Sequence, residues 1–418
     1  MNARLPPLDS SSSPDCAVVV DVARRVAAEG GRAVLVGGWV RDALLAALGR
    51  GRPSKDLDVE VFGVSLDTLR RILAVAGPVD EVGASFAVLR IKRVDVDFSL
   101  PRRDTKDGAG HRGFLVEADP SMSFADAARR RDFTINSISM DPLTGEVVDP
   151  CLGRVDLEAG LLRVTDPATF GEDPLRALRA VQMAARFDLV PTDDLPPILG
   201  AQDIAELPSE RIEGELSKFL LRGVRPSRGI DLLRHLDRDG LPGLAAPPRT
   251  WDRRCAALDR YVAMRPADRG AALAEGWTLL TLGASPTDRE ALLRRVRPPQ
   301  AVQAATVALA MTAPPPPDPA RLRALAWSLR RAGVSLASVF RVAEAQGFAV
   351  PGRAVAASVG VLDGPLPSVV QGRDLLARGM TPGPEVGGLI ARCRQVQDEF
   401  GLDDVDQILA RVAPTLAN

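Results

Sequence analysis

Asp56 and Asp58 stand two residues apart in KDLDVEVFG (residues 55–63), where charged and apolar residues alternate as they do in a half-buried strand. Successive strand side chains point to opposite faces, so these two carboxylates share one. Two carboxylates on one rigid face suit a hard divalent cation, which is commonly held by one or two carboxylates together with a substrate's phosphates. Upstream, LVGGWVRD (residues 35–42) reads as an apolar strand ending in Gly37–Gly38, followed by a helix from about Trp39. Having no Cβ, Gly37 and Gly38 let a ligand approach the backbone. The N–H groups of the helix start make a phosphate site, with Arg41 one turn in. A lone Asp-x-Asp is common and a lone Gly-Gly is usually a turn. Joined in this order about 14 residues apart, they are far more specific for metal-assisted phosphate chemistry.

Two further segments carry groups of the right kind. In GEDPLRALRAVQ (residues 171–182), Pro174 and its acidic neighbours mark a helix start, so Glu172 and Asp173 are candidates for capping. Asp173 and Arg176 are three apart and on a helix would share a face, an acceptor beside a planar donor able to bond the edge of a base. RRRDFTIN (residues 129–136) places three cations before Asp132, and by itself would be read as a solvated charge run.

Taken together, GGWVRD, DLD, PRRDTKDGAGHRGF, RRRDFTIN, FGEDPLRALRA, SERIEGELSKFL and GRDLLARGMTPGPEVGGLIARCRQVQ make the chain resemble the class II (bacterial-type) CCA-adding tRNA nucleotidyltransferases and their poly(A) polymerase relatives. The likeness runs over nearly the whole chain. It implies transfer of C, C and A from CTP and ATP to the 3′ end of tRNA, with release of pyrophosphate. It implies Asp56 and Asp58 as ligands of two Mg²⁺ ions, or of Mn²⁺, with Asp97 as a third catalytic carboxylate. It places Gly37, Gly38, Arg41, Arg131, Asp132, Asn136, Glu172, Asp173, Arg176, Arg179 and Gln182 at the nucleotide, with Asp173 and Arg176 choosing the base. Gln182 stands where the family often has arginine, which leaves the nucleotide site one charge lower. Poly(A) synthesis, addition of only CC or only A, and a non-catalytic RNA-binding role remain the alternative readings. The chain ends in Asp403, Asp404 and Asp406 without a basic run, which weighs against the first of these.

The elements that must position these residues follow from pattern. Residues 1–15, rich in Pro and Ser, read as a disordered leader. Residues 16–160 alternate helical and strand patterns, as an α/β unit with a small, largely antiparallel sheet. FAVLRIKR and VDVDFSL read as a strand pair, and FTINSISMDPLTGEVVDP as a hairpin about the turn 142–145. From Leu161 the strands stop. The expected architecture is therefore α+β: a polymerase-beta-like nucleotidyltransferase head (16–160), then an all-helical neck (161–245), body (246–364) and tail (365–418), the head and helical names being those the likeness implies.

Composition bounds the rest. Of 418 residues, 46% are hydrophobic and 26% charged, an ordinary globular balance. Cys16, Cys151, Cys255 and Cys393 are far apart and only two histidines exist, which excludes common zinc modules and histidine-clustered metal sites. The start of the chain has no secretory pattern and no apolar stretch is long enough for a bilayer, so a cytoplasmic protein is expected. Net charge is −1, yet residues 206–335 hold 21 Lys/Arg against 14 Asp/Glu while residues 1–160 hold 21 against 24. A basic helical surface poor in aromatics favours a phosphate backbone, as in tRNA, over base stacking. No feature points to a membrane or a protein partner.

The segment Arg102–Phe114 combines Arg102, Arg103, Lys106 and Arg112 with three glycines, as a phosphate-seeking loop would. It falls where the family has the element needed to change from CTP to ATP. Replacing it with a short Gly-Ser linker should spare CC addition and impair A addition, read by stepwise extension of a tRNA transcript. Equal loss of both steps would make it a general phosphate clamp.

Overall fold

The computed structural model describes residues 4–51, 56–82, 88–106, 114–236 and 240–416. The chain divides into two compact units, Met1–Leu207 with His235–Asp237, and Pro208–Arg234 with Arg238–Asn418.

In the first unit a seven-stranded sheet runs in the order β3-β4-β5-β2-β1-β8-β9. These strands are β1 (Arg32–Val36), β2 (Leu57–Phe62), β3 (Val79–Val82), β4 (Val88–Ile91), β5 (Val96–Ser99), β8 (Ser139–Met140) and β9 (Val147–Val148), with β6 (Arg102–Lys106) and β7 (Phe114–Ala118) forming a separate antiparallel hairpin. Within the seven-stranded sheet every neighbouring pair is antiparallel except β2 with β5. The expected strand pair is β4–β5. The ends of the expected loop at Arg102–Phe114 are paired strands, and its centre, 107–113, lies outside the described residues.

The two faces of β2 differ in what covers them. Leu57, Val59 and Val61 are buried on one face. Helices α1 (Pro14–Ala28) and α3 (Leu66–Ala74) pack with the sheet, presenting Val19, Val22 and Val26 and Leu69, Ile72 and Leu73. On the other face, Phe62 packs with Val34, Val36, Met122 and Ala127, and α4 (Phe124–Arg129) closes that end through a Phe62–Phe124 ring contact at 4.3 Å. Helix α2 (Gly38–Ala47) follows β1 directly.

Three features differ from the pattern read in the sequence. Residues 4–13 are not a free leader: Leu5 N–H donates to the Gly145 carbonyl and Leu8 N–H to the Pro142 carbonyl, so the segment lies against the turn that joins β8 and β9. Thr134–Asn136 is a 3₁₀ turn, and only Ser139–Met140 and Val147–Val148 form the expected hairpin. The first unit also extends beyond residue 160. It takes in α5 (Gly153–Ala159), the two-residue strands β10 (Leu161–Leu162) and β11 (Val190–Pro191), α6 (Leu175–Phe187) and α7 (Leu195–Gly200). The expected neck at 161–245 is thus divided near Leu207, because one face of α6 is buried in this unit, from Leu175 through Ala185.

The second unit is helical: α8 (Ser209–Arg222), α9 (Pro226–Leu233), α10 (Pro248–Tyr261), α11 (Arg269–Leu280), α12 (Pro286–Val296), α13 (Gln300–Met311), α14 (Pro319–Leu329), α15 (Leu336–Ala345), α16 (Gly352–Ser358), α17 (Gly372–Ala377), α18 (Pro384–Phe400) and α19 (Val405–Val412). Helix α11 is its axis, buried without interruption from Ala272 to Leu280 among α8, α10, α13 and α15. The one charge of that buried stretch, Glu275, is fully buried and accepts from Arg341 at 2.6 Å, as a buried carboxylate requires. Trp251 and Trp277 are buried, whereas Trp327 is half-buried between Arg330 and Arg394, whose guanidinium carbons lie 3.5 and 4.0 Å from its ring centre. Helix α18 packs on α14, and Arg323 Nε donates to the Asp398 carbonyl, so residues 365–416 are joined to the rest of this unit. No helix among the described residues is long and apolar enough to cross a membrane.

Close backbone contact at α5 gives a stability test. A Cβ on Gly153 would lie 2.0 Å from the Thr134 carbonyl oxygen and 2.8 Å from Ile138 Cγ1. Gly153→Ala should lower unfolding free energy by about 1–3 kcal/mol, the usual cost of overpacking, measured by denaturant unfolding. Wild-type stability would mean that the 3₁₀ turn yields without cost.

Candidate active site

Strand register builds the acidic face. Val36 pairs with Asp58 across β1–β2, and Asp58 pairs with Asp97 across the parallel β2–β5 pair. Paired residues present side chains to the same face, so Asp97 joins Asp58 although it lies 39 positions further along the chain. Gly37 follows Val36 and adopts φ 70° and ψ −130°, a conformation that glycine reaches readily. A Cβ there would stand 3.8 Å from Asp58 Oδ2 and 3.6 Å from Arg131 Nη1, which puts Gly37, Asp58 and Arg131 around one opening. Gly38 begins α2, and a Cβ on it would meet Arg41 Nη2 at 3.6 Å.

The carboxylates repel. Solvent reaches Asp58, yet the enclosing protein pushes its carboxyl up, and Asp97 and Asp56 raise it further against the opposing pull of Arg131 and Arg90. Asp97 Oδ1 accepts from Arg90 Nε at 2.7 Å and lies 2.6 Å from its Nη2. A divalent cation would relieve this crowding, and oxygen-only donors suit Mg²⁺. Among the described residues, no three His, Cys, Asp or Glu side chains are already gathered closely enough to enclose an ion.

A buried network lies next to this face. Arg179 Nε donates to Asp132 Oδ2 at 2.6 Å. Asp132 Oδ1 accepts from the Phe133 N–H and from Asn136 Nδ2, and Asn136 Oδ1 accepts from Arg41 Nη1 at 2.7 Å. Arg41 also pairs with Asp42 and stacks on Phe187 at 4.3 Å. Burial opposes ionisation of Asp132, but Arg179, Asn136 and the Phe133 N–H outweigh it and hold its carboxyl below the usual range. Arg41, Asp132, Asn136 and Gln182 are all buried. Arg41 was expected to face a phosphate; Asp42, Asn136 and Phe187 turn it inward instead.

Helix α6 begins at Leu175, and Asp173 is not on it. A proline disfavours the helical conformation in the residue before it, and Asp173 is extended at φ −126° and ψ 100°. Its Oδ1 accepts from the Leu175 N–H at 3.1 Å, so it acts as a cap, and the shared helical face expected with Arg176 does not form. Glu172 ends the 3₁₀ turn Phe170–Glu172. Arg176 Nη1 donates to the Thr169 carbonyl and Nη2 to the Arg130 carbonyl at 2.7 Å, tying α6 to the segment after α4.

One acidic residue escaped the sequence reading. Glu60 continues the two-residue spacing of Asp56 and Asp58 on the same face of β2, yet it is only 2% exposed. It holds both Arg130 and Arg131. The spacing was visible in DLDVE; that α4 would cover this end of the strand was not.

Known proteins can be set beside this geometry. Residues 33–163 match the family model of the Poly A polymerase head domain. The crystal structure of the Bacillus stearothermophilus CCA-adding enzyme in complex with CTP superposes with a TM-score of 0.71, covering 96% of this chain and 98% of that one at 23% identity. The chain has the fold of the CCA-adding enzymes. That fold bears out the α+β architecture and the likeness drawn from the motifs. The Thermotoga maritima CCA-adding enzyme complexed with tRNA has a TM-score of 0.68 over the full length of both chains, at 18% identity. Among curated sequences, a Multifunctional CCA protein of Xylella fastidiosa is 38% identical over 196 residues, 45% of this chain and 44% of its own length. One of Xanthomonas euvesicatoria pv. vesicatoria is 43% identical over 153 residues, 35% of its length. The chain therefore aligns with less than half of these relatives.

Asp132 is the hinge of the buried network. Asp132→Asn should cost about 3 kcal/mol at neutral pH, the low end for breaking a buried pair, since half-exposed Arg179 can turn to water. Because the folded pKa is depressed, this stabilisation is complete above the unfolded carboxylate value of about 3.9 and is lost as pH falls through the lower folded value. Denaturant unfolding should therefore show the gap between wild type and variant closing below about pH 4. A gap that persisted there would place the stabilisation elsewhere.

Proposed function

We propose that the protein is a CCA-adding tRNA nucleotidyltransferase, which adds C, C and A to the 3′ end of tRNA from CTP and ATP and releases pyrophosphate. The observation that carries this reading is the acidic face of Asp56, Asp58 and Asp97 opening beside Gly37 and Arg131, within a fold shared from end to end with CCA-adding enzymes. Asp56 and Asp58 would hold the divalent metal, with Mg²⁺ the fitting ion and Mn²⁺ an alternative. Both bonds from Arg90 fall on Asp97 Oδ1, which leaves Oδ2 as a donor. When bound, two such ions supply activation of the primer hydroxyl and stabilisation of the leaving oxygen.

The chain's own residues divide the remaining work. Gly37 and Gly38 let the triphosphate approach the backbone, and Arg131 supplies positive charge at the same opening. Arg176 spends two of its five N–H donors on the Thr169 and Arg130 carbonyls, and the others can meet a base edge. Asp173, as the cap before α6, presents its carboxylate from a fixed backbone. Glu172 and Arg179 flank them. Arg41, Asp132, Asn136 and Gln182 support these groups from behind and set their orientation. The Arg-rich helices of the second unit suit the phosphate backbone of a folded RNA, recognised by shape. The divisions into head, neck, body and tail are read in this light, and such work would be done in the cytoplasm.

Three tRNA transcripts lacking one, two or three nucleotides of CCA, incubated with CTP and ATP separately, test the reading. With CTP alone the two shorter transcripts should gain only their missing C residues, with ATP alone only the transcript lacking A should be extended, and with both nucleotides every transcript should stop at A. Runs of A would favour a poly(A) polymerase, and completion of only some transcripts a partial enzyme. Asp56→Ala and Asp58→Ala should abolish every addition while leaving tRNA affinity nearly unchanged. Near-normal activity in either variant would remove the metal assignment.

A further inference from the structure

Glu60 lies on the face of β2 that carries Asp58, with Asp56 just before the strand, and it is buried where both aspartates are exposed. Helix α4 packs over Phe62 at this end of the strand and terminates at Arg129. The next two residues, Arg130 and Arg131, are thereby delivered onto the Glu60 carboxylate. Arg130 Nη2 bonds Glu60 Oε1, and Arg131 Nη2 donates to Oε2 at 3.3 Å. Both arginine side chains are enclosed to the same degree, 21% and 22% exposed, but Arg131 alone extends to the opening, its Nη1 lying 3.6 Å from the Cβ position of Gly37, beside Asp58.

One buried carboxylate needs one cation to balance it, and Arg130 meets that need. The second arginine is shared between Glu60 and exposed Asp58, so its bond to Glu60 fixes where its charge stands. With one end fixed to Glu60, Arg131 keeps its charge at the opening without ordering a long free side chain on binding, an entropic cost that free arginines meet. The same anchor holds the Arg130 carbonyl, which accepts from Arg176 Nη2 at 2.7 Å. A single carboxylate thus sets the direction of one arginine at the triphosphate side and steadies another on the base side.

We propose that Glu60 is a positioning residue for the incoming nucleotide, acting through Arg131. The proposal rests on the nucleotidyl-transfer reading above. It assigns no role in tRNA binding and none in the chemical step.

The test is a double-mutant cycle with Glu60→Gln and Arg131→Ala, read as the Kd of CTP and of ATP by equilibrium titration with Mg²⁺ and as KM and kcat on tRNA. Glu60→Gln should raise nucleotide Kd and KM by about tenfold, the weight of a hydrogen bond between charged groups. It should leave the KM for tRNA unchanged. Arg131→Ala should give a rise at least as large, and the double variant should be no weaker than Arg131→Ala alone, since residues acting through one contact are not additive. Independent, multiplying effects would overturn the proposal, as would an unchanged nucleotide Kd or a parallel rise in tRNA KM. If Glu60→Gln does not fold, Glu60→Gln with Arg130→Gln removes the charge and its buried partner together, and the same cycle is read in that background. A wild-type protein that binds CTP and ATP but extends no tRNA would defeat the proposed function while leaving the cycle readable. One that binds neither nucleotide would overturn both.

Discussion

Like charges held on one rigid face are the constraint on which the first unit depends. Asp58 and Asp97 are paired across the sheet's parallel strand pair, with Asp56 two positions away, and each raises the difficulty of ionising Asp58. Such a face is unfavourable in an isolated strand pair. It persists because apolar packing on the other face, through Val59, Val61 and the helices α1 and α3, fixes the register regardless. Around it, arginines are distributed so that none closes the opening: Arg90 takes Asp97 from the side, and Arg130 and Arg131 are taken up by Glu60.

The second consequence is a division between groups that face a ligand and groups that hold them. Arg41, Asp132 and Asn136 form a continuous chain of charge-assisted bonds under Arg179, satisfied within the protein. In low dielectric such a chain is rigid, and loss of any member leaves a buried polar atom unpaired. Gln182, on the same helix as Arg176 and Arg179, is buried as well, and its amide nitrogen has no hydrogen-bond partner among the described residues. In the second unit the same logic recurs, where Glu275 at the heart of α11 is matched by Arg341 and buried Arg394 by Asp398.

The likeness to CCA-adding enzymes and the local geometry answer different questions. Full-length superposition speaks to architecture, and at 23% identity or below it carries no side-chain detail. Which arginine faces the opening, and which is turned inward, comes from register and packing in this chain. A sequence can share every motif and still distribute its cations differently between those two tasks.

The sequence by itself determined what depends on local periodicity and local sterics. Alternation in DLDVEVFG required Asp56 and Asp58 to share a face, and the Gly37–Gly38 step could only be a close-approach turn into a helix. The position of Asp173 outside α6 was also legible in principle, since Pro174 restricts the residue before it. The pairing of Asp97 with Asp58 was not legible in the residues, because a parallel register between segments 39 positions apart is decided by which strands become neighbours. Nor was the burial of Glu60, Arg41, Asp132 and Asn136: polar side chains in a helix or strand read as solvent-facing until another element covers them. Tertiary structure decided those positions, because the free energy of a buried charge is set by the partners that packing brings within bonding distance, and those partners are distant in the chain.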